Sequence, residues 1–393
     1  MLHLFSPITN KTAVRILRHQ MRCAAVPPAV PEERSDKMVY VDPYVKSAFR
    51  KKQPEGRGGF IRLDQNENPD GLPRWLFDEV MKGITPEMLG MYPEEGPFIE
   101  KYSKMMGISP SQMTITDGSV VAMGYMMKVF GEPGKDLVVV RPTFNMYGAY
   151  GALNGMKLKE VAYRDGYRMD IGDILSSIDD NTSIVVLVNP NMPIGNSYTP
   201  EEVEAVVKKA ADHGAMVVID EAYHYFSGTQ SSVPLISKYD NVAVLRTFSK
   251  MFSLAGLRLG IVMSSEENIR YVNNWRPHYT VNAVTLAFGE AVVDNIDRLL
   301  KEESEKFDRG MKYITGWLDS NGYEYIPSSG CFLCIRPNHR DASYITEELK
   351  KRNILILCGG NNIDGLLRLT VWDEKYMRMF ADAMAAIDRE RSP

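Results

Sequence analysis

The chain has 393 residues, of which 46 are Lys or Arg and 50 are Asp or Glu, so its formal net charge is −4. An apolar share of 44% is ample for a folded core and excludes a disordered or collagen-like chain. The near-balanced charge gives no overall attraction to nucleic acid or anionic lipid. A chain of this length exceeds the size at which one core stops growing, so two domains acting on a small molecule are expected.

No apolar run approaches the roughly 20 residues that a membrane span needs, so no membrane partner is expected. The four cysteines are too few and too scattered for a disulfide framework. Cys331 and Cys334 lie in an apolar, strand-like run with no second pair and no histidine cluster nearby in the sequence. We therefore predict that both are core residues and that the chain has no metal site.

Residues 1–37 differ in composition from the rest of the chain. Positions 1–31 hold no acidic residue, and basic residues interrupt a weakly apolar stretch there. This composition predicts a disordered or cleavable basic arm. An organelle transit peptide and a translation start at Met38 are the alternatives, and the expected location of the protein is the cytoplasm.

Between residues 110 and 263, short β-branched runs alternate with stretches of helical period, which indicates a mostly parallel sheet flanked by helices. The runs do not alternate with polar residues, so each strand is predicted to be buried on both faces. One helix, Val120 to Phe130, follows a turn at Thr116–Ser119, and another, Val203 to His213, follows a capping sequence. The predicted strands are Leu137–Val140, Ile184–Val188, Met216–Ile219, Val242–Leu245 and Leu259–Met263.

From about residue 295 the pattern changes to that of a smaller α+β domain. The elements predicted there are a helix at Asn295–Asn321, a strand around Cys331, a helix at Ala342–Arg352, strands at Ile354–Leu357 and Leu367–Val371, and a closing helix at Glu374–Asp388. The predicted fold class is therefore α/β, with an α+β domain at the C-terminal end.

Polar residues stand directly after the apolar runs, where ligands bind in open α/β sheets. These segments are Arg141–Phe144, Asn189–Gly195, Asp220–Tyr223 and Thr247–Lys250. Gly118 and Ser119 precede the Val120 helix, whose free backbone N–H groups suit a phosphate. Taken singly, each of these residues could be a helix cap, a loop residue or a solvated side chain. Together they indicate a site with a place for a phosphate, an acid for a ring nitrogen, a phenol and an amine.

The segment from Ser249 to Gly260 favours a catalytic site over these simpler interpretations. Lys250 follows a strand closely, and Arg258 stands eight residues later between two glycines. A lysine that forms a Schiff base needs surroundings that lower its pKa, and a nearby arginine can bind a phosphate with two hydrogen bonds.

The segment Thr247–Gly260 resembles the Schiff-base segment of fold-type I pyridoxal-phosphate aminotransferases of class I/II, especially the histidinol-phosphate aminotransferase branch. The similarity runs from Ile61 to about Asp388, through motifs at Leu63–Pro69, Met91–Glu94, Pro142–Tyr147, Asp220–Tyr223, Val281–Asn282 and Leu367–Val371. The resemblance implies a fold-type I transferase with pyridoxal 5′-phosphate as cofactor. It also implies an N-terminal segment (38–68) packed on the small domain, a large cofactor-binding domain (69–294) and a small domain (295–393).

The same resemblance implies roles for individual residues. Lys250 would hold the cofactor and move a proton at the substrate Cα, Asp220 would pair with the ring nitrogen, and Tyr223 would hydrogen-bond the ring hydroxyl. The other cofactor contacts that it implies are Phe144 on the ring face and Gly118, Ser119, Thr247, Ser249 and Arg258 at the phosphate.

The resemblance also implies the partners of the site. Tyr92 would reach the phosphate of a neighbouring subunit, which implies a homodimer with shared active sites. Arg368 would bind the substrate carboxylate with its planar fork. Asn66 and Asn68 resemble a loop that closes over the substrate. The small molecules expected are an L-amino acid and a 2-oxo acid, between which an amino group is transferred.

One departure from the family pattern concerns the ring hydroxyl. Where the family has an asparagine that contacts this hydroxyl, the chain has Met192, whose thioether cannot donate a hydrogen bond. Either Asn191 takes over from one residue away, or Tyr223 is left as the main polar contact. Because this loss would change the electron demand of the ring, a lyase, decarboxylase, cyclase or oxidase acting on an amino acid is the alternative to an aminotransferase.

A second departure concerns the substrate. Cys358 follows the predicted strand Ile354–Leu357 where the histidinol-phosphate branch has an arginine, and Trp372 replaces a glycine. A cysteine offers no positive charge for a phosphate. From these two positions we expect a bulky, apolar distal pocket and an amino donor without a phosphate.

Overall fold

The structure is a computed structural model that describes residues 39–48, 52, 54–338, 340–360 and 363–390. The basic arm predicted at 1–37 lies outside the described residues. Residues 39–48 belong to a separate unit of the chain, in which the side chain of Asp42 accepts hydrogen bonds from the backbone N–H groups of Tyr44 and Val45 and begins a short helix. The described residues from 52 onward belong to a second unit, which contains every predicted site residue.

The secondary structure of the described residues follows the predicted order after residue 110. The strands are β1 (Ile61–Arg62), β2 (Met113–Asp117), β3 (Asp136–Arg141), β4 (Lys157–Ala162), β5 (Thr182–Val188), β6 (Met216–Asp220), β7 (Val242–Thr247), β8 (Leu259–Ser264), β9 (Tyr325–Ile326), β10 (Phe332–Ile335), β11 (Ile354–Leu355), β12 (Leu357–Cys358) and β13 (Leu367–Thr370).

The α-helices begin with α1 (Pro43–Ser47) in the first unit. Those of the second unit are α2 (Arg74–Gly83), α3 (Pro86–Gly90), α4 (Gly96–Met106), α5 (Ser119–Phe130), α6 (Met146–Leu153), α7 (Ile171–Ser177), α8 (Pro200–Asp212), α9 (His224–Ser227), α10 (Glu266–Trp275), α11 (Ala283–Asp294), α12 (Ile296–Ser320), α13 (Ala342–Lys351) and α14 (Glu374–Arg389). Of the helices in the described ranges, none is both long and apolar enough to cross a membrane.

The large sheet contains seven strands in the order β2-β8-β7-β6-β5-β3-β4. From β7 through β6, β5 and β3 to β4 the neighbours run parallel, so the mostly parallel α/β sheet is confirmed. The strand predicted at Leu259–Met263 needs a correction, because β8 is antiparallel to both β2 and β7. Its direction is reversed because the chain turns back directly after Lys250 instead of passing through a crossover helix.

The central strands are buried on both faces, which explains why their sequences do not alternate. In β5, Val185 and Leu187 pack in the core cluster that contains the apolar side of α8. Ile184 and Val186 belong to the opposite cluster, which contains the apolar residues of α5. The sheet is therefore a middle layer between helices, and its ligand-binding edge is the end of the strands.

Two strands of this sheet have no counterpart among the predicted elements. β4 is an edge strand whose burial pattern includes exposed Lys157 and Glu160, so it has no apolar run. β2 is short and ends with Thr116 and Asp117, which we expected in a turn.

The C-terminal part has a four-stranded antiparallel sheet in the order β12-β13-β10-β9. The single strand predicted at Ile354–Leu357 is wrong. β11 pairs in parallel with β1, whereas β12 pairs with β13. The chain changes partner at Ile356, whose side chain is buried in the core of this part together with residues of α12, α13 and α14.

Candidate active site at the carboxyl ends of the strands

The predicted amine, carboxylate and phenol come together at one edge of the large sheet. Asp220 is the last residue of β6 and Thr247 the last residue of β7, and the two strands are neighbours. Tyr223 follows three residues after the end of β6, and Lys250 three residues after the end of β7. This is the edge at which ligands bind in α/β folds.

Lys250 contacts the segment that follows β1. Its Nζ donates a hydrogen bond to the backbone carbonyl of Gln65 at 3.0 Å and lies 5.8 Å from the centre of the Tyr223 ring. Burial lowers the pKa of Lys250 to about 8, and the positive charge of Arg368 acts in the same direction. A larger fraction of this amine is therefore neutral near physiological pH than in an exposed lysine, as a nucleophile requires.

Asp220 is a buried carboxylate with two fixed hydrogen bonds. Oδ2 accepts from the hydroxyl of Tyr147 at 2.7 Å, and Oδ1 accepts from the backbone N–H of Ala222 at 3.0 Å. Burial raises the pKa of Asp220 to about 6, while both hydrogen bonds act to lower it. An ionised carboxylate in such a place is suited to a protonated ring nitrogen.

The turn before α5 and the segment after β7 form a concave site suited to an anion. This site, the cup, contains Gly118, Ser119, Thr247, Ser249 and Arg258. Thr247 Oγ1 donates to Ser249 Oγ at 3.0 Å, and Arg258 Nη1 donates to the same oxygen at 3.3 Å. Gly118 has a φ of +79°, and a Cβ at this position would collide with the guanidinium of Arg258. Ser119 is the first residue of α5, so the free N–H groups of the helix start stand beside that guanidinium.

Arg368 lies on β13 and is buried. Nη2 donates to the backbone carbonyl of Asp64 at 2.6 Å, and Nη1 lies 3.0 Å from the sulfur of Met192. Nε is buried and has no hydrogen-bond partner in the described part of the chain. Because a buried N–H group without an acceptor is unfavourable, the position is suited to an anionic group of a ligand.

Asn66 contacts the phenol of the site. Its Nδ2 donates to the Tyr223 hydroxyl at 2.8 Å, and its Oδ1 accepts from Thr370 Oγ1 at 3.2 Å. Both Asn66 and Tyr223 are buried. The structure thus places Asn66 against a predicted cofactor residue rather than over an open substrate pocket.

Asn191 does not replace the donor that is missing at position 192. Its Nδ2 donates to the Pro142 carbonyl at 2.9 Å and to the Tyr163 hydroxyl at 2.8 Å. Its Oδ1 accepts from Thr143 Oγ1 at 2.5 Å. Both amide hydrogens of Asn191 are thus used within the chain, so of the two alternatives for the donor missing at position 192 this geometry favours Tyr223.

Asn68 anchors its own loop. Nδ2 lies within hydrogen-bond distance of the Gly71 carbonyl, of Ser253 Oγ and of Glu303 Oε2, at 3.0, 2.8 and 3.1 Å. An amide group has only two hydrogens, so these acceptors already saturate it. The amide of Asn68 thus holds its own loop in place, and its predicted substrate contact stays a prediction.

Phe144 and Tyr92 have contrasting positions. Phe144 is half-buried and packs against a core cluster of the large sheet and against the core of the C-terminal part. Tyr92 is 77% exposed, and its ring stacks on Tyr279 with the centroids 4.6 Å apart. The ring of Tyr92 thus contacts a residue outside the predicted site.

Trp372 is not a pocket wall, so the expected distal pocket is wrong in this respect. Its side chain is fully buried, Nε1 lies 3.3 Å from Glu303 Oε2, and its ring packs against Phe226. The backbone of Trp372 passes so close to Gly310 that a Cβ there would collide with it. The residue after β13 therefore belongs to the core of the C-terminal part.

Tyr147 and Gln65 are among the contributors to the site that were not predicted. Tyr147, which binds Asp220, closes the Pro142–Tyr147 segment that resembles a family motif, so the sequence carried a signal for it. Gln65 contacts Lys250 through its backbone carbonyl, which no pattern of side chains reveals.

The residues present fit pyridoxal 5′-phosphate. The cup around Gly118 and Arg258 suits the phosphate, Asp220 suits the ring nitrogen, and Lys250 offers an amine of lowered pKa for the aldehyde. A cavity of about 300 Å³ lies beside Ser249 and is lined on its other side by Arg62, Glu67 and Asn68. Together these features define a pyridoxal-phosphate-dependent enzyme of fold-type I.

Comparisons with known proteins agree with this class. The family model for aminotransferase class I and II matches residues 59–384. Histidinol-phosphate aminotransferase of Pyrococcus furiosus is 30% identical over 319 residues, which are 79% of this chain and 87% of that protein. The enzyme of the same name from Thermococcus gammatolerans is 32% identical over the same shares of both chains. The chain belongs to the aminotransferase class I and II family.

Solved structures show the same fold. Histidinol-phosphate aminotransferase from Sinorhizobium meliloti, in complex with pyridoxal 5′-phosphate, superposes with a TM-score of 0.78 at 21% identity, covering 90% of this chain and 99% of that one. Aspartate aminotransferase from Thermus thermophilus with maleate gives a TM-score of 0.75 at 17% identity and covers 89% of this chain and 100% of that one. The protein is an aminotransferase that uses pyridoxal 5′-phosphate.

Proposed function

We propose that Lys250, Asp220 and Tyr223 are the catalytic residues of amino-group transfer between an L-amino acid and a 2-oxo acid. The observation that carries this assignment is the amine of Lys250, whose pKa burial lowers to about 8 at the strand ends that also carry Asp220. Pyridoxal 5′-phosphate, when bound, supplies an electron-withdrawing ring for the bond broken at the substrate carbon.

Each of these residues has a separate task. Lys250 Nζ moves the proton at the substrate Cα, because a neutral amine of lowered pKa can accept it and return it. Asp220 holds the proton on the ring nitrogen, and Tyr223 donates to the ring oxygen. Phe144 supports the ring face at the border of the two cores. The phosphate is held by Gly118, Ser119, Thr247, Ser249 and Arg258.

Arg368 binds the anionic group on the reacting carbon of the substrate, with Nε as a donor that has no other partner in the described residues. In histidinol phosphate, for which the relatives are named, a phosphate ester stands where an amino acid has its carboxylate. A guanidinium suits both groups. The expectation of a donor without a phosphate therefore finds no support.

The active unit in this proposal is a homodimer in the cytoplasm. Tyr92 is 77% exposed, which leaves its ring and hydroxyl accessible to a second copy of the chain. In the proposed dimer it reaches the phosphate of the other subunit, so each site needs both copies.

The reaction is tested by a spectral titration of the purified holoenzyme with L-amino acids and histidinol phosphate, followed by identification of the products. Amino-group transfer leaves the cofactor as pyridoxamine phosphate, releases one oxo compound, and is reversed by a 2-oxo acid. Release of ammonia, carbon dioxide or peroxide without pyridoxamine would instead establish the lyase, decarboxylase or oxidase that Met192 suggested.

The assignment of Lys250 is tested by Lys250→Ala, which should abolish both the absorption band of covalently held cofactor and turnover. Lys312→Ala is the control, since Lys312 is an exposed lysine of α12. It should keep both. A Lys250→Ala protein that retains the covalent band would overturn the assignment.

A further inference from the structure

The ring oxygen of the cofactor has few donors in this chain. Met192 has no hydrogen to donate. Asn191, beside it, uses both amide hydrogens on the Pro142 carbonyl and the Tyr163 hydroxyl. Of positions 191, 192 and 223, which the resemblance places around that oxygen, only Tyr223 retains a hydrogen for it.

A chain of hydrogen bonds ends on the Tyr223 hydroxyl. The backbone N–H of Asn66 donates to the Thr370 hydroxyl at 3.0 Å. The Thr370 hydroxyl in turn donates its own hydrogen to Asn66 Oδ1 at 3.2 Å. Because the amide oxygen faces Thr370, the amide nitrogen faces Tyr223 and donates to its hydroxyl at 2.8 Å. All three side chains are buried.

The backbone holds these residues in register. The N–H of Thr370 donates to the carbonyl of Leu63 at 2.9 Å, which joins the end of β13 to the segment that carries Asn66. Asn66 itself has a φ of 55°, a left-handed conformation that asparagine adopts more readily than most residues. The amide is therefore fixed between Thr370 and Tyr223 by contacts from three distant parts of the sequence.

These hydrogen bonds run from Thr370 through Asn66 to Tyr223, and their direction determines whether the Tyr223 hydroxyl can act as a donor. A phenol has a single hydrogen, and because its oxygen accepts from Asn66, that hydrogen is left for another acceptor. Burial raises the pKa of Tyr223, and the hydrogen bond from Asn66 acts in the opposite direction. Hydrogen bonds that follow one another head to tail also strengthen each other. Asn66 therefore makes Tyr223 a better donor.

We propose that Thr370 and Asn66 are positioning residues that orient the Tyr223 hydroxyl as the donor to the ring oxygen, and so compensate for the thioether at position 192. This rests on the proposed function, because it requires the ring oxygen to lie at Tyr223. Neither Thr370 nor Asn66 contacts the reacting atoms in this role.

The test is a pH titration of the absorption of the bound cofactor. A hydrogen bond to the ring oxygen favours the form in which this oxygen carries its full negative charge, so a weaker bond raises the midpoint of the titration. Asn66→Gly removes the amide at a position whose φ of 55° suits glycine. We expect its midpoint to rise by up to about one pH unit, the effect of one hydrogen bond to a charged group.

The direction in which the midpoint of Asn66→Gly shifts tests the proposal. An unchanged midpoint would overturn the proposal, and so would a fall, which would show that Tyr223 had donated to Asn66 and was released by its loss. Thr370→Val should also raise the midpoint, whereas Thr370→Ser should keep the wild-type value. Equal values for these two variants would overturn the proposal as well, and this pair carries the test if Asn66→Gly does not fold.

Two further variants complete the design. Thr346→Val is the control for loss of a threonine hydroxyl, because Thr346 bonds to the Ala342 carbonyl of its own helix, and it should leave the midpoint unchanged. Tyr223→Phe separates the two proposals. If it does not move the midpoint, the placement of the ring oxygen in the proposed function fails. If it raises the midpoint and Asn66→Gly does not, only the role of Asn66 and Thr370 fails.

Discussion

Hydrogen bonds from neighbouring residues stabilise the ionised form of the buried Asp220 carboxylate. Burial raises the pKa of this carboxyl to about 6, which is close to neutral pH. The hydroxyl of Tyr147 and the N–H of Ala222 stabilise the ionised form. Tyr147 remains protonated, since burial beside Asp220 raises its own pKa well above the usual value. Tyr147 is therefore a positioning residue behind Asp220.

In Tyr147→Phe, the pH below which the affinity for the cofactor falls should be higher than in the wild type. Asp220 must be ionised to pair with the ring nitrogen, so affinity falls as the pH drops through the pKa of Asp220, and removal of a donor raises that pKa. The dissociation constant of the cofactor should rise about twofold at pH 7 and about tenfold near pH 5, measured by absorbance titration of the cofactor-free protein over a range of pH.

The matched control for this prediction is Tyr239→Phe. The hydroxyl of Tyr239 also donates to a carboxylate, that of Glu204 at 2.7 Å, but Tyr239 precedes β7 and so lies at the opposite end of the strand from Thr247. The control should have the wild-type pH profile. The same profile in Tyr147→Phe would show that Tyr147 does not act on Asp220.

How far single residues could be predicted depends on what they contact. Lys250 and Asp220 were predictable because each stands at or directly after the end of an apolar strand, which fixes its position at the sheet edge. Asn191 was not, since its partners Pro142 and Tyr163 come from other parts of the chain. A local sequence shows which group a residue carries, but the partner that occupies that group is set by tertiary packing.

At the scale of elements, the segment after β1 closes one side of the site. Three consecutive residues contact three predicted site residues: the Asp64 carbonyl accepts from Arg368, the Gln65 carbonyl from Lys250, and the Asn66 amide donates to Tyr223. Arg57 fixes the segment from outside through ion pairs with Asp64 and Glu67. Its far end is anchored by Asn68, whose amide meets the buried carboxylate of Glu303 on α12.

Glu303→Ala should lower the free energy of unfolding by about 2 kcal/mol, because it leaves the buried Nε1 of Trp372 without its acceptor and removes one of the three acceptors around the Asn68 amide. Urea unfolding measures this loss. Glu305→Ala, which truncates an exposed glutamate of the same helix, is the control and should change the stability by less than about 0.5 kcal/mol. Equal values for the two variants would contradict a role of Glu303 in holding the segment.

Elements were predictable where burial controls the sequence. The central strands lie between two layers of helices and are therefore continuous apolar runs. The edge strand β4 was missed because its exposed residues are charged. The division of 354–358 between two sheets was also missed, because both halves are apolar and only their different partners separate them.

At the scale of the whole molecule, the site lies where the cores of the two sheets meet. Met192 and Tyr223 follow strands of the large sheet, yet both are buried in the core of the C-terminal part, with Leu63 and Phe332. Packing between the two sheets therefore sets the position of the phenol and of the thioether that contacts Arg368.

The surface next to Tyr92 supports the proposed homodimer. Leu89, Met91, Tyr92 and Tyr279 are each more than half exposed, although large apolar side chains favour burial. Three of these residues lie within four positions of one another in the sequence and the ring of Tyr92 stacks on Tyr279, so this surface suits the interface of the proposed homodimer. In a two-fold symmetric dimer the same surface of each copy serves the other, so both sites are completed at once.

Mixing two defective variants tests whether the sites are shared. Lys250→Ala lacks the amine, and Tyr92→Ala lacks the residue proposed to reach the neighbouring phosphate, so each alone should be nearly inactive at limiting cofactor. In a hybrid dimer, the Tyr92→Ala subunit keeps its own Lys250 and receives Tyr92 from its partner, which makes one complete site. An equal mixture that re-equilibrates should recover about a quarter of wild-type activity, because half of the dimers are hybrids with one complete site each. If Tyr92 served its own subunit, no dimer in the mixture would hold a complete site and activity would not return.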